Sequence, residues 1–378
     1  GKFDYTFKND YSTRFTFTHQ NENKGLAGVF YNNAKIAKLE TSDYSVNASV
    51  IKRNIFNTNG TAEFSIYNEF NTDKFFDPLA ELGWNKRDTN DKTRQYGSSL
   101  LMSAFIGNYS KTTINLRFNK IEFSPSDAFN NNQFFKQSRA EKKIALENLF
   151  LLFSEKLSLT PGLLIENFDN KKLEQKSGVV VKQQSFLKDT FISKQIGINY
   201  KINKNAAFKS SFGLFYRVPN MYELFGDRGY SVGNASLKPE KSLNVDAGVI
   251  MRGNIDKINI TAEIIVFNRS VKDLIQWLSY STQIMYPENI GKADITGIES
   301  NLQLRYSKFY YSGAYTYLDT KNKEASVAGL NRELPYKPKY DTSNEIGYDN
   351  KTIGLKIYTQ YNYTGESYKD LNNSVKNE

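Results

Sequence analysis

The chain has 378 residues, 39% apolar and 14% aromatic, with a formal net charge of +10 and a mean hydropathy of −0.57. No run approaches the roughly 18 consecutive apolar residues of a membrane-crossing helix, which excludes a helical membrane protein. Lysines and arginines are scattered along the sequence rather than gathered in one stripe, which argues against a nucleic-acid partner.

In chain order, the first clear alternation sets Ile114, Leu116 and Phe118 against Asn115, Arg117 and Asn119. Later, Leu243, Val245, Ala247, Val249 and Met251 oppose Asn244, Asp246, Gly248 and Ile250. Ile258, Ile260, Ala262, Ile264 and Val266 follow, then Ile353, Leu355, Ile357, Thr359, Tyr361 and Tyr363. A period of two predicts strands with one wet and one apolar face, and no long 3.6-residue period competes with it. It also explains how a low apolar share coexists with 27 Phe and 25 Tyr.

Tight polar turns fall near Asp10, Asn57, Tyr109, Glu155, Asn203, Asn254, Ser307 and Asn350, about 43 to 53 residues apart. Between them lie longer polar stretches, Asn68–Arg94, Glu122–Arg139, Asn167–Lys188 and Arg217–Lys241. Short turns at one end and long loops at the other predict an all-β, antiparallel transmembrane barrel of about sixteen strands, each about ten residues long. A β-propeller or soluble sandwich is the rival, but each repeat holds two strands and no blade motif recurs.

A Lys or Arg on the lipid side near the midplane costs about 2–4 kcal/mol. Arg117, Lys209 and Lys356, in phase with the polar set, are therefore expected to face the interior. That interior must be wet or filled by another polar body. The last residues, "GESYKDLNNSVKNE", read as a loop, and Gly1 follows no leader sequence. We therefore expect strands to be missing at both ends, leaving an open sheet with two unpaired edges that would not be stable alone.

The absence of cysteine is compatible with the cell envelope. His19, the sole histidine, continues the phase of Phe15 and Phe17 and belongs on the lipid side at a strand end. There is no Gly-rich phosphate loop and no Cys/His metal spacing. An enzyme is not expected, and neither is a cofactor.

The densest stretch is "YRVPNMYELFGDRGYSVGNASLKPEKS", from Tyr216 to Ser242. Arg217 enters it from the polar face, and Val218–Pro219 ends the ladder because proline has no N–H to donate. Tyr216, Arg217 and Pro219, then Glu223 and Leu224, then Gly233, Asn234, Leu237, Pro239, Glu240 and Ser242 form a recognisable pattern. It is followed by "NIGKADITGIESNLQLRY", with Asn289, Gly291, Ala293, Gly297 and Glu299. "RELPYKPKY" comes next, with Leu334, Pro335, Tyr336 and Pro338. Together these resemble the TonB-dependent outer-membrane receptors, over Tyr216 to about Tyr340; the N-terminal half matches only in its hairpin rhythm.

The resemblance implies a 22-strand barrel in the outer membrane of a Gram-negative bacterium, plugged by an N-terminal domain. Residues 1–378 then form a partial barrel domain without the plug, and the TonB complex is met through that missing region. It implies high-affinity uptake of a scarce nutrient: a ferric siderophore first, with haem or cobalamin as alternatives. Haem receptors of this type usually carry a His in the loop, and Asn220–Gly233 has none. A passive porin-like or adhesin-like barrel is the reading from another class. Outer-membrane lipid and lipopolysaccharide are the expected surroundings.

For ligand contact, the basic and aromatic residues Arg228, Tyr230 and Tyr222 are the loop candidates. Trp84, beside Phe75 and Phe76, and Tyr286, near Trp277 and Tyr280, are further aromatic candidates. Arg217 and Glu240 are expected to anchor the loop or meet the plug.

Overall fold

The computed structural model describes residues 1–26, 34–82, 85–129, 136–176, 179–226, 231–281, 284–324 and 330–377. The strands begin with β1 (Lys2–Thr6), β2 (Tyr11–Gly25), β3 (Lys38–Ile55), β4 (Gly60–Asp77), β5 (Arg87–Ile106) and β6 (Ser110–Ser124). Next come β7 (Lys136–Leu152), β8 (Leu157–Lys176), β9 (Val179–Lys201) and β10 (Ala206–Arg217). A short helix, α1 (Met221–Phe225), precedes β11 (Glu240–Ile255) and β12 (Ile258–Lys272). A separate hairpin, β13 (Ile275–Ser281) and β14 (Ile284–Asn289), leads into β15 (Lys292–Tyr306), β16 (Phe309–Asn322), β17 (Tyr340–Asn350) and β18 (Leu355–Thr364). Two short strands follow, β19 (Ser367–Tyr368) and β20 (Lys376–Asn377).

Sixteen of these form one antiparallel sheet in chain order, β1 to β12 and then β15 to β18, with β1 and β18 as its edges among the described residues. The eight expected short turns are all present and lie at one end, because each joins an odd–even pair of neighbouring staves. Several use left-handed Asn, Asp or Gly, such as Asn9, Asn57, Gly107 and Asp256, the residues that tolerate positive φ best.

The strand lengths differ from expectation. They run to 20 residues in β5 and β8 and 23 in β9. Asn68–Arg94 and Asn167–Lys188 are therefore largely ladder rather than loop, whereas Glu122–Arg139 joins the ladder only at its two ends. The physical reason is that water bathes both faces beyond the bilayer. Pairing continues there through Thr, Asn, Asp and Lys, while apolar alternation disappears. Ile353 also moves, lying in the turn before β18.

The faces are as the alternation requires. On β12 the outward Ile264 is 53% exposed, while the inward Phe267 is buried. Lys209 bonds Glu263, and Lys356 approaches Glu345, both across the inner face. Arg117 lies opposite Lys143 in register, on that same face. His19 points outward and stacks on Tyr44, ring centroids 4.2 Å apart. One close approach shapes the inner wall: a Cβ on Gly97 would sit 2.2 Å from the Phe118 carbonyl oxygen and 2.7 Å from the Tyr67 hydroxyl. Glycine is needed there to admit that ring.

Carboxylates order the long-loop end. Asp77 accepts from the N–H groups of Glu81 (2.7 Å) and Leu82 (2.8 Å). Glu81 in turn accepts from Lys35 (2.8 Å), Ile36 (2.9 Å) and Ala37 (2.9 Å), clipping one loop to its neighbour. The Ile36 and Lys35 amides, with Ala37, hold the Glu81 carboxyl below its ordinary value. A depressed pKa stabilises docking above the unfolded carboxyl range of about 4.3, and the gain fades as pH falls through the lower folded value. Amide exchange at residues 35–37 should therefore accelerate on acidification below about pH 4. Glu81→Gln should accelerate it already at neutral pH; equal protection in that variant would show the charge to be irrelevant.

Candidate ligand-binding mouth

The site grows from the register of β10 and β11, which pair as far as Arg217 opposite Glu240. Pro219 cannot extend that ladder, and the chain turns into α1. Asn220 caps the helix: its side chain accepts from the Glu223 N–H at 2.7 Å, and the Glu223 carboxylate accepts from the Asn220 N–H at 2.8 Å. This reciprocal box satisfies two orphan donors. At the other end Gly226 takes φ of 67°, which ends the turn.

Arg217 organises the base of the loop. Its Nη1 donates to both Glu223 oxygens at 2.9 Å, while Nε and Nη2 donate to Glu240 at 2.8 and 2.5 Å. Glu240 also accepts from the Ile275 N–H at 2.8 Å, joining the loop to the β13–β14 hairpin. Asn234 donates to the Pro287 carbonyl at 3.0 Å. Asn289 accepts from the Lys238 N–H at 2.8 Å and donates to the Lys238 and Asp273 carbonyls at 3.0 and 2.7 Å.

Two apolar clusters complete the frame. Leu224, Leu237 and Ile275 pack together with Phe225. Ile290, Ala293 and Leu334 pack with Leu274, Leu278, Ile295 and Leu371. Gln276 donates to the Pro335 carbonyl at 3.3 Å. The three sequence patterns around Arg217, Asn289 and Leu334 thus meet in one structure at the long-loop end.

The loop turns inward over the wall. Arg139 of β7, only 4% exposed, donates from Nη2 to the Pro219 carbonyl at 2.6 Å and from Nε to Asn170 of β8 at 2.7 Å. Phe225 stacks with Phe123 of β6, centroids 6.3 Å apart. Further down the same inner face, Tyr67 donates to Asn119 (3.0 Å) and Asn119 to Glu141 (3.2 Å). Lys143 bridges Glu141 and Glu166 at 3.9 and 2.9 Å.

Of the expected contact residues, Arg228, Tyr230 and Trp84 lie outside the described residues. Phe75 and Phe76 sit on opposite faces of β4, as successive strand residues must. Tyr222 is on α1, 46% exposed, its ring 5.2 Å from Trp277 of β13 and its hydroxyl bonded to Ser231. Tyr286 pairs in register with Leu278, on the hairpin face opposite Trp277. The structure therefore brings Tyr222 and Trp277 together and sets Tyr286 apart. Sequence reasoning missed Arg139, Phe123 and α1; only the helix had a readable signal, the Asn220-x-x-Glu223 box.

A family described as "TonB dependent receptor-like, beta-barrel" matches residues 1–378. The chain belongs to the TonB-dependent receptors. These are transport receptors of the Gram-negative outer membrane, and the sixteen-stranded antiparallel sheet matches their barrels. Among solved structures, the siderophore receptor PiuA from Acinetobacter baumannii is similar at TM-score 0.76 and 13% identity, covering 99% of this chain and 65% of PiuA. The FrpB iron transporter from Neisseria meningitidis (F3-3 variant) is similar at TM-score 0.73 and 15% identity, covering 97% and 59%. Both likenesses are of fold. A vitamin B12 transporter, BtuB of Photobacterium profundum, is 25% identical over 186 residues, which is 48% of this chain and 28% of that protein. The receptor chain thus spans less than two thirds of the length of each of these proteins.

Proposed function

We propose that this receptor takes up a scarce, bulky nutrient with energy from the TonB complex, and that the nutrient is a ferric siderophore. The observation that carries the reading is the inward-turned loop presenting Tyr222 against Trp277 on a frame fixed by Arg217, Glu240 and Arg139. A paired aromatic face suits a ligand with planar chelating groups, and net charge of +10 suits an anionic chelate. Siderophore and iron transport are what the names of the similar solved structures state. Arg228, Tyr230, Tyr222, Trp84 and Tyr286 are assigned to ligand contact, and Arg217 and Glu240 to anchoring. Residues 1–378 are assigned to barrel wall and loops, with TonB met through a plug segment outside them. A corrinoid is the second reading, favoured by the stretch shared with the vitamin B12 transporter.

Uptake of iron-loaded siderophores and of cyanocobalamin by cells with and without the full-length gene decides between the two. Tyr222→Ala and Trp277→Ala are each expected to weaken ligand binding about tenfold, close to 1.4 kcal/mol, at unchanged surface levels. Unaltered uptake of every iron chelate on deleting the gene would end the siderophore reading.

A further inference from the structure

In barrels of this class the short turns face the periplasm, and here their side chains follow a pattern. Six of the eight carry one lysine each: Lys8, Lys156, Lys204, Lys257, Lys308 and Lys351. All six are exposed, and none makes an ion pair among the described residues. The carboxylates of the same turns are fewer. Glu155 is 3.6 Å from Lys201, which leaves Asp10 and Asp256 against six lysines. The periplasmic rim therefore keeps excess positive charge.

The two turns without lysine, residues 56–59 and 107–109, are neighbours, because β4 pairs with β5. Between them lies a pocket of about 660 Å³, lined by Asn54, Asn57, Thr58, Asn59, Phe105 and Asn108. That volume suits a small ligand. Turn geometry accounts for part of the lining. Asn54 and Asn57 take positive φ, as Gly107 does; Asn54 donates to Asp10 at 2.8 Å, and Thr58 donates to the Ile55 carbonyl at 2.9 Å. Asn59 and Asn108 do not take positive φ, so the backbone does not call for an amide at either. The side chains of Asn57, Asn59 and Asn108 are exposed and make no hydrogen bond among the described residues.

Three free carboxamides, each both donor and acceptor, match the acetamido groups and hydroxyls of an N-acetylated sugar. Phe105 supplies an apolar ring for the sugar's C–H face. The Lys111 ammonium, 5.8 Å from that ring centroid, is placed for a carboxylate. Phe105 and Lys111 pair in register, in the inward phase of Ser99 and Arg117, which sets the pocket away from acyl chains. We propose that the short-turn end of this receptor docks on an acidic, N-acetylated glycan, the peptidoglycan beneath the outer membrane. An acetamido group meets Asn57, Asn59 and Asn108, and a carboxylate of the same unit meets Lys111. The six turn lysines hold the peptide carboxylates of the polymer around it, so weak contacts add along one strand. The proposal rests on the outer-membrane location and is independent of the nutrient carried.

The test uses the full-length receptor in detergent, sedimented with purified peptidoglycan sacculi. Wild type should co-sediment, and added salt should weaken the binding. Asn59→Ala/Asn108→Ala should bind at least fivefold less while keeping the heat-modifiable migration of a folded barrel, since neither position needs positive φ. Lys8→Gln/Lys257→Gln/Lys351→Gln lies outside the pocket; it should bind about threefold less and lose much of the salt dependence. Chitotetraose, which carries acetamido groups, should compete for wild type, and cellotetraose, which lacks them, should not. Equal sedimentation of wild type and the folded asparagine variant, or equal competition by the two sugars, would overturn the proposal. So would a variant that binds sacculi normally but no longer retains phosphatidylglycerol through detergent exchange, because the pocket would then serve a lipid headgroup.

Discussion

Arg139→Ala should detach the loop between β10 and β11 from the inner wall while leaving the sixteen-stranded sheet intact. The side chain is almost wholly covered, held between the Pro219 carbonyl and Asn170, 3.8 Å from Glu141 and 5.6 Å from the Phe168 ring centroid. Its removal leaves two buried oxygens without donors, at about 1–3 kcal/mol each. The barrel interior is polar, and water entering the gap offsets part of this, so about 2–4 kcal/mol is expected locally. The ladders of β6, β7 and β8 do not depend on the guanidinium, so heat-modifiable migration should persist. Faster amide exchange at Leu224 and Gly226, and new protease cleavage between 218 and 239, are the expected signs. Arg139→Lys keeps the charge but cannot serve both oxygens in the same fork, and should fall between wild type and alanine. Protection equal to wild type in Arg139→Ala would show that the loop is held without the guanidinium, by its remaining contacts such as Phe123–Phe225 and the frame around Arg217.

The wall could be read from sequence because the bilayer imposes a two-residue period. Leu243 to Met251 and Ile258 to Val266 face lipid, and the eight polar turns fall where expected. That signal stops where the membrane stops. Above it, Thr72, Asn90 and Lys171 continue in strands with water on both sides, and nothing apolar marks them. Five residues of α1 are too few to display a helical period, although Asn220 and Glu223 spell its capping box. Arg139 is 80 residues from Pro219, and in sequence it is one more inward polar residue among many. The three sequence patterns could be recognised one by one, but Leu237 beside Ile275, or Ala293 beside Leu334, is a fact of packing.

Arg217→Ala should have a comparable effect through charge rather than through the loss of neutral partners. Glu223 is 6% exposed, and Glu240 is nearly as covered at its side chain. One guanidinium serves both, so its removal leaves two carboxylates facing each other across the space it filled. Breaking a buried pair costs about 3–5 kcal/mol. The Arg217 side chain is 43% exposed, so screening reduces the expected loss to about 1–3 kcal/mol. The strain should appear where those carboxylates hold the backbone: at the N–H of Asn220, which Glu223 caps, and at the N–H of Ile275, which Glu240 anchors. Amide exchange at both positions should rise together, and the Tyr222–Trp277 face should lose its fixed geometry with them. Adding Glu223→Gln and Glu240→Gln to Arg217→Ala removes the repulsion while keeping shape, and should recover about half of the lost protection. A triple variant no better protected than Arg217→Ala would mean that the arginine acts by filling space, and the electrostatic account of the loop's base would have to be abandoned.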